Sequence, residues 1–121
     1  MLIKIVINEI PPSNNKYMGR GSTRSQAFVY QAEKQRWAGL IMGALKKKLN
    51  KPMRKARVRI TYYFPDKKRR DPDNYSGKFI LDGLTKAGLI EDDSFANIIL
   101  ELYGRYDKEN PRTVIELEEI A

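Results

Sequence analysis

Residues 57–64 alternate without interruption. Val58, Ile60, Tyr62 and Phe64 fall on one side of an extended chain, and Arg57, Arg59, Thr61 and Tyr63 on the other. Successive side chains of a strand point to opposite faces, so this spacing predicts a half-buried strand with an apolar inner face and a basic, aromatic outer one. Pro65 ends it, because proline cannot donate to a ladder. The sheet built on this strand must be covered on one side, and the rest of the chain has to supply the cover.

Helical periodicity appears twice. Trp37, Leu40, Ile41, Ala44 and Leu45 keep the i, i+3, i+4, i+7, i+8 spacing of a buried stripe on a long helix, with Ser25 as its cap. Lys46-Lys47-Lys48 follow near its C-terminus, where cations suit the helix dipole, and read as a solvated end. Residues 79–87 predict a short helix with Ile80, Leu81, Leu84 and Ala87 inward and Gly88 just past its end. Residues 2–10 read as a strand stopped by Pro11-Pro12, and residues 96–106 as another, with Ile98, Leu100 and Leu102 alternating. Residues 113–118 then close a hairpin with Ile115 and Leu117 facing in. The order β-α-β-α-β-β predicts an α+β fold, a mixed sheet with helices packed on it, in a single domain over residues 1–121.

What the chain lacks restricts its chemistry. It has no cysteine, hence no disulfide, thiolate nucleophile or Cys-ligated zinc. It has no histidine either, which removes Ser-His and Cys-His pairs and the commonest general base. Hydrolysis would have to run on carboxylates, a metal ion, Lys, Tyr or water. No apolar run approaches a membrane span, and the N-terminus lacks the pattern of a signal peptide, so a cytoplasmic protein without membrane contact is expected. The charge is unevenly placed. Residues 1–70 carry 18 Lys/Arg against 3 Asp/Glu, and residues 71–121 carry 5 against 12, within a net charge of +8. That asymmetry predicts a nucleic-acid surface drawn mainly from the first part and an acidic site opening the second.

The acids are Asp71-Pro72-Asp73-Asn74 and, further on, Asp92-Asp93, and the first group directly follows Lys67-Lys68-Arg69-Arg70. Crowded carboxylates repel unless a cation sits between them, and oxygen ligands alone favour Mg²⁺. Acids for Mg²⁺ beside bases for phosphate is the composition of a metal-dependent nuclease. In an extended segment Asp71 and Asp73 would point the same way, and Pro72 would hold them so. The helix that follows leads about 20 Å away, so a neighbouring strand has to return Asp92-Asp93. Two rival readings stand beside this one. The acids could be turns and helix caps in a non-catalytic DNA- or RNA-binding module, or could serve a Mg²⁺-dependent nucleotide phosphohydrolase.

Two stretches carry a resemblance. Pro11-Pro12-Ser13-Asn14-Asn15-Lys16-Tyr17 and residues 67–95, KKRRDPDNYSGKFILDGLTKAGLIEDDSF, resemble the RusA-type Holliday junction resolvases (crossover junction endodeoxyribonucleases). The resemblance implies a homodimeric, Mg²⁺-dependent endonuclease that nicks four-way DNA junctions symmetrically in recombination and repair. By position it makes Asp71, Asp73 and Asp93 the catalytic metal-binding acids, with Asp92 close by, and Arg70 and Lys78 the basic residues needed for catalysis or DNA engagement. The family lysine commonly falls six residues after the first Asp; here Gly77 holds that place and Lys78 follows, which implies a one-residue insertion before the helix. The expected DNA contacts are Asn14, Asn15 and Lys16 in the loop to Arg24, the Arg57, Arg59 and Tyr63 strand face, and Lys67, Lys68 and Arg69.

Overall fold

The computed structural model describes residues 1–14 and 24–120. The expected contacts at Asn15 and Lys16 lie outside the described residues, and the first helix already begins at Arg24, so Ser25 stands inside it and is not the residue that caps it. Among the described residues four strands and two helices follow the predicted order: β1 (Leu2–Ile7), α1 (Arg24–Ala44), β2 (Ala56–Phe64), α2 (Lys78–Lys86), β3 (Ile98–Tyr106) and β4 (Arg112–Glu119), with a 3₁₀ turn at Pro72–Asn74 before α2. No described helix is long and apolar enough to cross a membrane.

The strands form one mixed sheet in the order β1-β4-β2-β3. Antiparallel pairing joins β4 to both β1 and β2, and β3 runs parallel to β2 from Ala56↔Ile98 to Phe64↔Tyr106. The expected hairpin between the last two strands is therefore not formed: β2 lies between them. The segment 107–111 turns over the end of β2 instead, where the Asp107 N–H donates to the Phe64 carbonyl at 2.8 Å and Arg112 pairs with the Asp107 carboxylate at 2.8 Å. A near-continuous apolar run explains why β4 is internal. Thr113, Val114, Ile115 and Leu117 are all buried, as a strand with neighbours on both sides requires.

Both helices cover one face of the sheet. Val58, Ile60, Tyr62 and Phe64 of β2 point into that layer with Ile5, Ile7, Ile115 and Leu117, against Trp37 and Ile41 of α1 and Phe79, Ile80 and Leu84 of α2. The helices approach closely at Gly83, where a Cβ would stand 2.6 Å from Ile41 Cδ1 and 3.2 Å from the Ala38 backbone. The expected stop at Gly88 is present. With φ 74°, its N–H donates to Thr85 and the Leu89 N–H to the Leu84 carbonyl at 3.1 and 3.0 Å, which satisfies the last carbonyls of α2.

Candidate active site

The parallel pair β2/β3 ends at Phe64 and Tyr106, and the segment that leaves β2 at that end and leads to α2 carries Asp71 and Asp73. Ligands of open sheets with parallel strands are met at this edge. Asp71 is extended (φ −103°, ψ 141°), but Asp73 sits within the 3₁₀ turn that follows it. Strand alternation therefore does not align the two carboxylates; the tight turn does the placing, closed by Asn74 N–H to Asp71 O at 3.0 Å and Tyr75 N–H to Pro72 O at 3.1 Å. Neither Asp73 nor Asn74 caps α2, since its N-cap is Gly77 with no side-chain bond.

Asn14 fixes this turn from outside. Its N–H donates to the Asn74 carbonyl at 2.8 Å, and its side-chain amide donates to the Asp73 carbonyl at 3.0 Å and the Ser76 hydroxyl at 2.9 Å. The residue expected to touch DNA is thus engaged in holding the acid turn against the Pro11-Pro12 segment.

The basic block divides. Lys67, Lys68 and Arg69 are exposed; Arg69, 89% exposed, reaches Asp71 Oδ1 through Nε at 3.3 Å, a solvent-screened contact that adds little stability. Arg70 turns inward and keeps only 19% of its side-chain surface. Its guanidinium lies over the Phe64 ring at 4.3 Å, pairs with Asp66 at 2.8 Å, and donates to the Asp66 and Lys68 carbonyls at 3.3 Å. Asp66 Oδ1 also accepts the Lys68 N–H at 3.0 Å. The Arg70 guanidinium, and that backbone bond, hold the Asp66 carboxyl below the usual carboxylate range; Asp66 in turn raises the affinity of Arg70 for its proton, against desolvation. Sequence reasoning passed over Asp66, although its four-residue spacing to Arg70 was a signal.

Gly77, the position where the resemblance leads one to expect a lysine, sits at φ 86°, and a Cβ there would meet Ile60 Cδ1 at 2.7 Å. Lys78 instead opens α2, with its ammonium 5.4 Å from the Tyr30 ring centre. Asp82, one helical turn on, pairs with Lys34 at 3.8 Å and Lys86 at 3.3 Å.

Asp92 and Asp93 do not join Asp71 and Asp73 within the chain. Asp71 lines a small cleft with Leu102, Tyr103 and Gly104 of β3, while Asp93 lies beside Ile98, Ile99 and Leu100. The two neighbourhoods are centred four residues apart along one strand, about 13 Å at 3.3 Å per residue, which is several metal–oxygen bond lengths. Among the described residues no three acids come together to hold an ion.

Arg57 and Arg59 lie on the uncovered face of the sheet as predicted, but that face also carries acids. Glu101 meets Arg57 at 3.3 Å and Arg59 at 2.9 Å, Glu118 meets Arg57 at 3.2 Å, and Glu116 approaches Arg59 at 4.0 Å. Cross-strand register sets these pairs, since Arg59 stands opposite both Glu101 and Glu116. Their positive charge is largely balanced in place.

Residues 9–118 match the family described as Endodeoxyribonuclease RusA, which spans the acid turn, both helices and the last three strands. The chain belongs to the RusA family. It is 41% identical over 87 residues to the crossover junction endodeoxyribonucleases RusA of Enterobacteria phage 82 and of Escherichia coli, covering 69% of this chain and 68% of each relative. The RusA protein of Shigella sonnei is 40% identical over the same shares.

Proposed function

We propose that this chain is a crossover junction endodeoxyribonuclease that acts as a Mg²⁺-dependent homodimer in the cytoplasm and resolves four-way DNA junctions by paired, symmetrical nicks in recombination and repair. Family membership supports the endonuclease reading. The observation that carries the dimer is the division of the acids along β3. That strand is the edge of the sheet, and its exposed side chains include Ile99, Leu100, Tyr103 and Tyr106, with Phe95 fully exposed beside its start. Two such edges approaching antiparallel about a twofold axis at Glu101 set residue 99 of one copy opposite residue 103 of the other. The Asp92-Asp93 turn of each copy then faces the Asp71–Asp73 turn of its partner. Each site would be completed across the interface, and two sites serve a junction that is itself roughly twofold.

The donor set suits a hard divalent ion: Asp71 and Asp73 from one copy, and the same chain's Asp92 and Asp93 for the other site, all oxygen ligands in a chain without His or Cys. When bound, Mg²⁺ would neutralise charge at the scissile phosphate and lower the pKa of a water beside it. The protein's part is placement and charge. Asn14 and the 3₁₀ turn hold Asp71 and Asp73, while Lys78 and the exposed Lys67, Lys68 and Arg69 draw phosphate oxygens toward them and stabilise charge that develops there. A second basic surface lies at the other end of β2. Lys46, Lys47, Lys48, Lys51, Arg54 and Lys55 are exposed within ten residues that hold no acid. Met53 ties this segment to residues 89–91 by backbone bonds of 2.9 and 3.0 Å, so it flanks the Asp92-Asp93 turn.

Complementation tests the reading. Asp71→Asn and Asp93→Asn proteins should each bind a synthetic four-way junction in Mg²⁺ without cutting it. Mixed subunits should regain one intact site and nick one strand. A mixture as inactive as its components would place each acid set within a single subunit. Failure of the wild type to cut the junction in Mg²⁺, or a monomer by sedimentation both free and on DNA, would reject the resolvase dimer itself. Intact binding with no cleavage would favour the binding module, and binding without salt dependence the small-substrate phosphohydrolase.

A further inference from the structure

Arg70 and Asp66 form a device that the catalytic scheme above does not use. One guanidinium gathers three points of the chain, the Phe64 ring at the end of β2, the Asp66 carboxylate and the Lys68 carbonyl, and it shares a small cleft with Tyr75 beyond the 3₁₀ turn. Tyr75 is itself packed edge-on against Phe64 at 5.1 Å and Tyr62 at 5.7 Å, so the anchor rests on buried aromatic side chains of the central strand. Asp71 and Asp73 lie between Arg70 and Tyr75. The two ends of the acid turn are therefore fastened to one ring, Phe64, and through it to one rigid strand.

We propose that Asp66 and Arg70 are positioning residues: the Arg70 guanidinium holds the Asp71–Asp73 turn in place for catalysis and is not a phosphate contact. Arginine suits this task because its planar fork can stack on Phe64 and serve several acceptors at once, which a lysine ammonium cannot. Fixing the turn matters because a displacement of about 1 Å at reacting groups can cost on the order of 10²-fold in rate. The inference rests on the endonuclease reading above.

The positioning and phosphate-contact roles predict opposite results when the partner, and not Arg70, is changed. Asp66 is half-exposed and outside the core, so Asp66→Ala should fold. If Arg70 is a positioning residue, Asp66→Ala lowers the single-turnover cleavage rate on the order of 10²-fold. Junction affinity in metal-free buffer stays within about twofold, and the slope of log K against log[salt] is unchanged. Asp66→Asn keeps an oxygen acceptor and should recover part of the lost rate, whereas Arg70→Lys should not. Amide hydrogen exchange over residues 67–76 should quicken in Asp66→Ala, measured without metal or DNA. The proposal is overturned if Asp66→Ala cuts as fast as the wild type, or if it binds more tightly with a slope steeper by about one phosphate contact, as release of a DNA-seeking arginine would require. It is also overturned if Arg70→Gln flattens that slope by about 0.9. Should the wild type prove unable to cut junctions, the endonuclease reading fails, and the exchange and slope measurements still decide what Arg70 does.

Discussion

Gly77→Ala is a small change that should do disproportionate damage, and three other glycines of the chain allow its causes to be separated. At Gly77 two penalties coincide. The backbone is left-handed at φ 86°, which costs an L-residue about 1–2 kcal/mol, and the new Cβ would stand 2.7 Å from Ile60 Cδ1. Ile60 is completely buried in the central strand, so relieving the contact means repacking the core, for roughly 1–3 kcal/mol more. The sum, about 2–5 kcal/mol, is a large part of a stability that for a domain of this size is on the order of 5–15 kcal/mol. Gly88, at φ 74° with open space around its Cβ position, carries only the first penalty, and Gly88→Ala should cost about 1 kcal/mol. Gly83, inside α2 but against Ile41 and the Ala38 backbone, carries only the second, and Gly83→Ala should cost about 1–3 kcal/mol. Gly39, within α1 with nothing near, carries neither, and Gly39→Ala should stabilise by about 0.5–1 kcal/mol. Urea denaturation at constant m-value measures all four. The expected order of midpoints is Gly39→Ala, wild type, Gly88→Ala, then Gly83→Ala and Gly77→Ala. A Gly77→Ala protein within about 0.5 kcal/mol of the wild type would refute the argument.

Asp71→Asn, Asp73→Asn and Asp93→Asn should each lower junction cleavage by on the order of 10²-fold or more while binding survives, and near-normal cutting by any one removes that residue from the set. Junction affinity should fall linearly with log[salt]; replacing Lys46, Lys47, Lys48 and Lys51 by Gln should flatten the slope if the second basic surface tracks phosphates, by about 0.9 for each phosphate no longer neutralised. Asp66, Glu101 and Asp107 all have folded pKa values depressed, chiefly by hydrogen bonds from Arg70, Arg59 and Arg112. Their support is therefore present above the ordinary carboxylate pKa and lost as pH falls through the lower folded values. With no histidine in the chain, thermal stability should be flat between about pH 5 and 8 and decline only in acid; a step near about pH 6.5 would contradict this.

The elements were legible in the sequence because each is written in a local period. The alternation of 57–64, the stripe containing Trp37 and Ile41, and Gly88 at the end of α2 all depend on neighbours within a few residues, and the structure follows them closely. Family membership was legible too, through the acid turn and the residues around it. What pairs with what was not. Two strands adjacent in sequence look like a hairpin, yet β4 lies between β1 and β2, because its inner run needs cover from both. That register in turn sets Glu101, Glu116 and Glu118 against Arg57 and Arg59, so a face that reads as basic in one segment is balanced by strands some forty to sixty residues away. Arg70 reads in the sequence as the last of four cations suited to phosphate, whereas the fold brings Phe64 and Asp66 around it. The separation of Asp71 from Asp93 along β3 likewise follows from the parallel pairing of β2 and β3. Local periodicity records which face of an element is apolar, and the sequence determines that much alone. Charge balance and the meeting of distant carboxylates depend on long-range register, which many side chains decide together when the core closes.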